Sequence, residues 1–251
     1  MTSQVYLPKN YDGTTEFPVL YFLPSNGGSS YTVINQFGIT EAVDELTQNN
    51  QIQPMIIVAL GIDNSFGLNS NAKTQEITRA LSTETYAVII HEGMYEDYIV
   101  NEAIPYIDEH FSTDASRDGR YIGGYSMGGF AALYVAFHHA DLFAKVGGHS
   151  PSLYVDITAC DEDSWQKWLY PSNEVREERD PILLADKMDI EGLSVYLDTG
   201  NSDPNLEGCQ ALYEKLTEHQ VPVEYHLFSG THGFEYCRNY MKEYLLFYSS
   251  Q

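Results

Sequence analysis

Tyr121-Ile122-Gly123-Gly124-Tyr125-Ser126-Met127-Gly128-Gly129 is the stretch whose reading decides the rest of the chain. Gly124, Ser126 and Gly128 fit the pattern G-x-S-x-G, in which a serine is raised on a sharp strand-to-helix turn. The spacing has a physical reason. A glycine two positions either side of the serine lets strand and helix approach closely. The helix that follows aims its first amides at the serine, so the backbone N–H of Met127 can face a developing oxyanion. Such strings also arise by chance in glycine-rich loops, and context decides between the two. Here Arg120-Tyr121-Ile122 reads as a short strand, and Phe130-Ala131-Ala132-Leu133-Tyr134-Val135-Ala136 as a small-residue helix. The pattern stands in the setting it requires.

Outward from this point the chain alternates strands with helices. Phe17-Pro18-Val19-Leu20-Tyr21-Phe22-Leu23 and Met55-Ile56-Ile57-Val58-Ala59-Leu60 are continuous apolar runs, as expected of strands buried on both faces. Val5-Tyr6-Leu7, the stretch from Lys145, Leu193-Ser194-Val195-Tyr196-Leu197-Asp198 and Val223-Glu224-Tyr225-His226-Leu227-Phe228 supply further strands. Residues 40–48 and 95–110 carry apolar residues at helical spacing. This predicts an α/β fold with a mostly parallel central sheet flanked by helices. Residues 61–83 read as a long polar loop of the binding kind. Residues 155–190 break the rhythm and are expected to form a cap-like insertion. Trp165 and Trp168 fall on one helical face there, either packing an inserted helix or lining a substrate pocket. Asp161-Glu162-Asp163 reads as a solvated helix start in preference to a calcium site.

The 251 residues are expected to form one domain with a large core, and the 43% hydrophobic content argues for a folded protein. Thirty-six acidic against 13 basic residues give a formal net charge of −23, which repels nucleic acid and anionic lipid. No apolar run reaches membrane-spanning length, and neither nucleic acid nor a membrane is an expected partner. Met1-Thr2-Ser3-Gln4 opens no signal peptide, and the chain enters a strand almost at once, as a trimmed one would. An extracellular setting is the expectation, with the cytoplasm as the alternative. Cys160, Cys209 and Cys237 show no zinc spacing, and no metal or organic cofactor is implied. Cys209 and Cys237 are read either as a disulfide or as two buried thiols.

Two later strands end in loops that carry ionisable residues. One continues into Thr199-Gly200-Asn201-Ser202-Asp203, the other into Ser229-Gly230-Thr231-His232-Gly233. In a parallel α/β sheet such loops gather at the carboxyl edge. Serine, then acid, then histidine is a triad order in which Ser126 attacks, His232 carries the proton and a carboxylate fixes the imidazole. Asp203, out in the loop, is the expected acid, and Asp198, at the strand end, is the alternative. Pro24-Ser25-Asn26-Gly27-Gly28 after the first buried strand is expected to give backbone amides at Asn26 or Gly27 to the same oxyanion hole. Tyr125 is expected to line the substrate, and His149 to hold a structural or a substrate-lining position.

In these motifs the chain resembles the esterase D-like, or feruloyl esterase-like, branch of α/β-hydrolases. The resemblance rests on Val5-Tyr6-Leu7-Pro8 with Tyr11-Asp12, on 17–23, and on Tyr95-Glu96-Asp97-Tyr98 with Ile104-Pro105-Tyr106-Ile107-Asp108. Gly124–Gly129 of the opening stretch, Asp141-Leu142-Phe143, 200–203 and 230–234 continue it in order. It implies an α/β-hydrolase fold and ester hydrolysis through an acyl-serine, with Ser126, Asp203 and His232 as the triad and Met127 as an oxyanion donor. Relatives of this kind act on feruloyl or acetyl esters of plant polysaccharide, on S-formylglutathione, on siderophore lactones, or transfer mycolyl chains. One departure stands out: relatives usually carry His-Gly where this chain has Pro24-Ser25. The expected substrate is therefore a small-molecule or carbohydrate ester, with S-formylglutathione as alternative and a non-catalytic binding protein as a further one.

Overall fold

Strand β2 (Val19–Leu23) is buried along its whole length, and its alternation divides the molecule. Val19, Tyr21 and Leu23 belong to one hydrophobic cluster, while Leu20 and Phe22 belong to another on the opposite face of the sheet. In this computed structural model residues 1–250 are described except 72–74, 82–83, 159 and 162–163, and for 75–81 and 84–88 the backbone alone. Seven strands form the main sheet. With β1 (Gln4–Tyr6), β3 (Ile56–Ala59), β4 (Arg120–Tyr125), β5 (Lys145–His149), β6 (Ser194–Gly200) and β7 (Val223–Phe228), the spatial order is β1-β3-β2-β4-β5-β6-β7. All neighbours run parallel except β1, which pairs antiparallel with β3.

Helices α1 (Ile39–Gln48) and α5 (Phe234–Ser249) cover one face; α2 (Ile104–His110), α3 (Met127–His138) and α4 (Leu206–Glu218) cover the other. The chain leaves β2 for α1 and leaves β4 for α3, so the two connections part to opposite faces between adjacent strands. That is a topological switch point, where the carboxyl ends of parallel strands open a crevice. Both the serine turn and the loop at 24–29 border it.

Two sequence expectations change. The helix expected over 95–110 is continuous, but its turns at Tyr98–Ala103 are wound wide, just ahead of Pro105, which has no N–H to give its own helix. Part of the stretch read as a polar loop is a β-hairpin: Gln75–Leu81 pairs antiparallel with Glu84–Ile90. Those strands pair with each other and not with the main sheet, and the apolar run at 86–90 lies just past the stretch read as a loop.

In the segment 155–190, three short helices, Trp165–Leu169, Asn173–Arg179 and Pro181–Leu184, lie between β5 and β6. Trp168, Leu169, Tyr170, Ile182 and Leu184 are buried in the same cluster as α3. Glu162 and Asp163 of the acidic triplet lie outside the described residues. All three cysteines are free thiols, and Cys209 and Cys237 are buried, so the disulfide alternative is not formed. No helix among the described residues is long and apolar enough to cross a membrane.

Candidate active site

Ser126 sits between β4 and α3 with φ 60° and ψ −116°, a region that side-chain-bearing residues seldom occupy. The strain is held by packing. A Cβ on Gly128 would run into the carbonyls of Leu23 and Pro24, and one on Gly124 into the backbone of Gly128. Neighbouring strands pin the turn as well: the Ser126 N–H donates to His149 O at 2.9 Å, and Ser126 O accepts from the Ser152 and Phe130 N–H groups.

His232 approaches from the loop ahead of α5. Its Nε2 lies 2.8 Å from Ser126 Oγ and its Nδ1 2.9 Å from Asp203 Oδ2. With the proton on Nδ1 donated to the carboxylate, Nε2 accepts from the serine hydroxyl, the polarity needed to withdraw that proton. Tyr125 stacks on the imidazole, with ring centroids 5.0 Å apart, and its hydroxyl accepts the Gly233 N–H at 2.8 Å.

Asp203 is sequestered and fully partnered. Oδ2 accepts from Ser150 Oγ at 2.5 Å as well as from His232, and Oδ1 accepts from the Asn205 N–H at 2.8 Å. Burial pushes the carboxyl's pKa up, but His232, Ser150 and Asn205 together outweigh it and hold the acid below its ordinary value of 3.8. It therefore stays ionised beside the histidine. Asn205 Nδ2 also holds Ser150 O at 3.2 Å. Ser150, Ser152 and Asn205 were not singled out in the sequence. The signal for the two serines was available, since His149-Ser150-Pro151-Ser152 ends a parallel strand at the edge where the site forms.

The loop after β2 is a tight turn closed by the Gly28 N–H to Ser25 O at 2.8 Å, with Gly27 at φ 72°. Its two expected oxyanion donors differ. The Gly27 N–H is already given to Asn64 Oδ1 at 2.7 Å, which removes it from the hole. The Asn26 amide has no hydrogen-bond partner among the described residues and remains available, as does the first helical amide, that of Met127.

The four residues with a substrate-lining reading, His149, Tyr125, Trp165 and Trp168, are taken up by other contacts. His149 is wholly buried, with Nδ1 on Asp198 Oδ1 at 2.9 Å and Nε2 on the Tyr248 hydroxyl at 3.0 Å. Burial depresses its pKa below 6.5 in spite of Asp198, so the ring is neutral. Asp198, the alternative acid, thus serves this buried histidine and not His232. Tyr125 is likewise buried and backs the His232 imidazole. Trp168 packs on Phe66, which meets Phe130 of α3 edge-on, and Trp165 packs on Phe66 from another side. The tryptophans therefore brace α3 through Phe66, nearer to the packing reading than to the pocket one.

A strained serine under a histidine–carboxylate pair, with two free amides nearby, is an arrangement able to open an acyl bond. Comparison with known proteins agrees in kind. The chain is 27% identical over 161 residues to an "Endo-1,4-beta-xylanase/feruloyl esterase" of Xylanibacter ruminicola, covering 61% of this chain and 20% of that protein. The chain thus spans about a fifth of that relative's length. Among solved structures, a ferulic acid esterase superposes with a TM-score of 0.78 at 22% identity, covering 98% of this chain and 91% of the other. An S-formylglutathione hydrolase (FrmB) of Staphylococcus aureus gives 0.74 at 20% identity, covering 99% and 92%. At these identities both show the α/β-hydrolase fold. The family model described as "Putative esterase" matches residues 1–248, nearly the whole chain, and the protein belongs to that esterase family.

Proposed function

We propose that the protein is a serine carboxylesterase that hydrolyses an acyl ester on a carbohydrate, of the feruloyl or acetyl type. The observation that carries this reading is the unbroken relay from Asp203 through His232 to Ser126 at 2.9 and 2.8 Å. In that scheme Ser126 Oγ attacks the ester carbonyl while His232 Nε2 takes its proton. The oxyanion is met by the Met127 and Asn26 amides. His232 then returns the proton to the departing alcohol, leaving an acyl-serine that water hydrolyses by the same steps in reverse. The carbohydrate ester is supported by the names of the xylanase/feruloyl esterase relative and of the ferulic acid esterase neighbour. Thioester hydrolysis of S-formylglutathione is a second reading, supported by the likeness to the staphylococcal hydrolase.

A panel of nitrophenyl acetate, butyrate and ferulate with S-formylglutathione tests these readings. Wild type is expected to prefer ferulate or acetate, and Ser126→Ala to abolish turnover and labelling by a fluorophosphonate probe. Preference for S-formylglutathione would select the second reading. A wild-type protein that neither turns over nor labels would indicate a binding protein.

A further inference from the structure

The two halves of the oxyanion hole come from different elements: Met127 from α3, Asn26 from the turn after β2. What holds one against the other lies outside both. In the turn after β2, Ser25 Oγ and Asn26 Nδ2 are buried without a hydrogen-bond partner among the described residues, so neither atom anchors it. The external tie is Asn64. Its Oδ1 accepts the Gly27 N–H at 2.7 Å, its Nδ2 donates to Ile89 O at 2.8 Å, and its backbone carbonyl accepts the His91 N–H at 3.2 Å. The carboxamide thus spans from the oxyanion turn to the end of the hairpin strand Glu84–Ile90.

The segment bearing Asn64 is itself strained. Asp63 and Phe66 have φ values of 46° and 58°, and Gly67 has 70°. Aspartate visits this region readily, but a bulky phenylalanine holds it only where its surroundings compel it. Those surroundings include α3. Phe66 is 1% exposed and edge-on to Phe130, and a Cβ on Gly67 would come within 2.8 Å of the Ala131 methyl. Phe130 and Ala131 are one turn along the helix from Met127. On its other side the segment is held by the Tyr95 hydroxyl, which donates to Asp63 Oδ2 at 2.8 Å.

We infer that Asn64 is the positioning residue of the oxyanion hole, setting the Asn26 amide on the β2 turn against the Met127 amide on α3. The inference rests on the esterase reading, since it concerns the donors for that reaction's transition state. Asn64 touches no reacting atom. By occupying the Gly27 N–H it fixes which way the turn's peptide groups face, and so which amide is left for the oxyanion.

The test uses Asn64→Ala, with Asn64→Gln as a second variant that keeps both functional groups but moves them by one methylene. Turnover is referred to active sites titrated with a fluorophosphonate, so that misfolded protein does not count. Misplacing one donor is expected to lower kcat about 10²-fold in Asn64→Ala and about tenfold in Asn64→Gln, with KM within about threefold. Affinity for a trifluoromethyl ketone, whose tetrahedral adduct places an oxyanion in the hole, is expected to fall in step with kcat. Affinity for a product carboxylic acid is expected to stay put. Variants that match wild type in kcat and ketone affinity overturn the inference alone. So do equal losses for ketone and product, which would mean general damage to the pocket. A wild type inert to esters and probe overturns the esterase reading and the inference with it.

Discussion

Asp203–His232 and Asp198–His149 both join a carboxylate oxygen to an imidazole Nδ1 at 2.9 Å, and their aspartates lie in one strand–loop unit. Their surroundings differ at the imidazole. The His232 side chain is 24% exposed and its Nε2 faces the Ser126 hydroxyl. His149 is sealed, and its Nε2 faces the Tyr248 hydroxyl. The second oxygen of Asp198 accepts from Tyr236 at 2.7 Å and from Tyr244 at 3.0 Å. A carboxylate–imidazole pair is therefore not in itself a site. What separates the two is the third partner and a path to solvent. The buried pair ties β5 and β6 to the tyrosines of α5, and α5 starts two residues after His232. One pair carries the chemistry we propose, and the other fixes the helix that presents it.

Exchanging single atoms in each pair should separate these roles. Asp203→Asn leaves His232 without the acceptor that sets its tautomer, and kcat is expected to fall by about 10⁴ with the melting temperature little changed. Asp198→Asn should do the opposite. A carboxamide cannot accept all the hydrogen bonds that the Asp198 carboxylate takes from His149, Tyr236 and Tyr244, and about 1–3 kcal/mol of stability is expected to go, read by urea unfolding, with kcat per titrated site within about threefold of wild type. An Asp198→Asn enzyme that is stable but inactive would move the acid back to the strand end. Ser150→Ala removes one donor from Asp203 and should slow turnover about tenfold, about 1.4 kcal/mol in the barrier.

The smallest effect concerns pH. Burial lowers the His149 pKa in the folded state below 6.5, so the unfolded chain binds a proton that the native protein does not. The stability this residue contributes is complete above about pH 6.5 and declines as pH falls below it, by at most about 1.4 kcal/mol per unit. His149→Gln should flatten that part of the stability curve relative to wild type. The lowered pKa of Asp203 acts in the same direction, but its contribution is complete above its ordinary 3.8 and declines only as pH falls below that.

The comparison also marks where sequence reading reached and where it stopped. The serine turn was legible because its demands are local: Gly124 and Gly128 are needed within a few residues of Ser126. His232 and Asp203 were legible as candidates from their loops, each following a stretch that reads as a strand. The place of His149 was legible only as two alternatives, structural or substrate-lining. Tyr125, His149 and Asp198 stand level on three adjacent strands, so their side chains share one face, and only the register reveals this. A residue read along the chain as lying near the serine is, across the sheet, turned from it. Asn64 was hidden for a related reason, since a carboxamide that reaches a turn 37 residues away leaves no local pattern.

The grip of α5 on the sheet also bears on the order in which the protein can be made. The Tyr248 hydroxyl reaches His149, 99 residues earlier, and Ser249 Oγ accepts the Gln53 N–H, 196 residues earlier. Lys145 Nζ holds the carbonyls of Phe247 and Tyr248 at 3.0 and 3.2 Å. On a ribosome, β2 to β6 can therefore pair while one face of the sheet has only α1 over it and the Asp198 carboxylate still lacks its tyrosine partners. Sheets whose decisive contacts lie far apart in the chain close late and expose apolar surface meanwhile. For this protein that interval lasts until residues 234–249 emerge, and it is the stage of biosynthesis at which a chaperone would have most to protect.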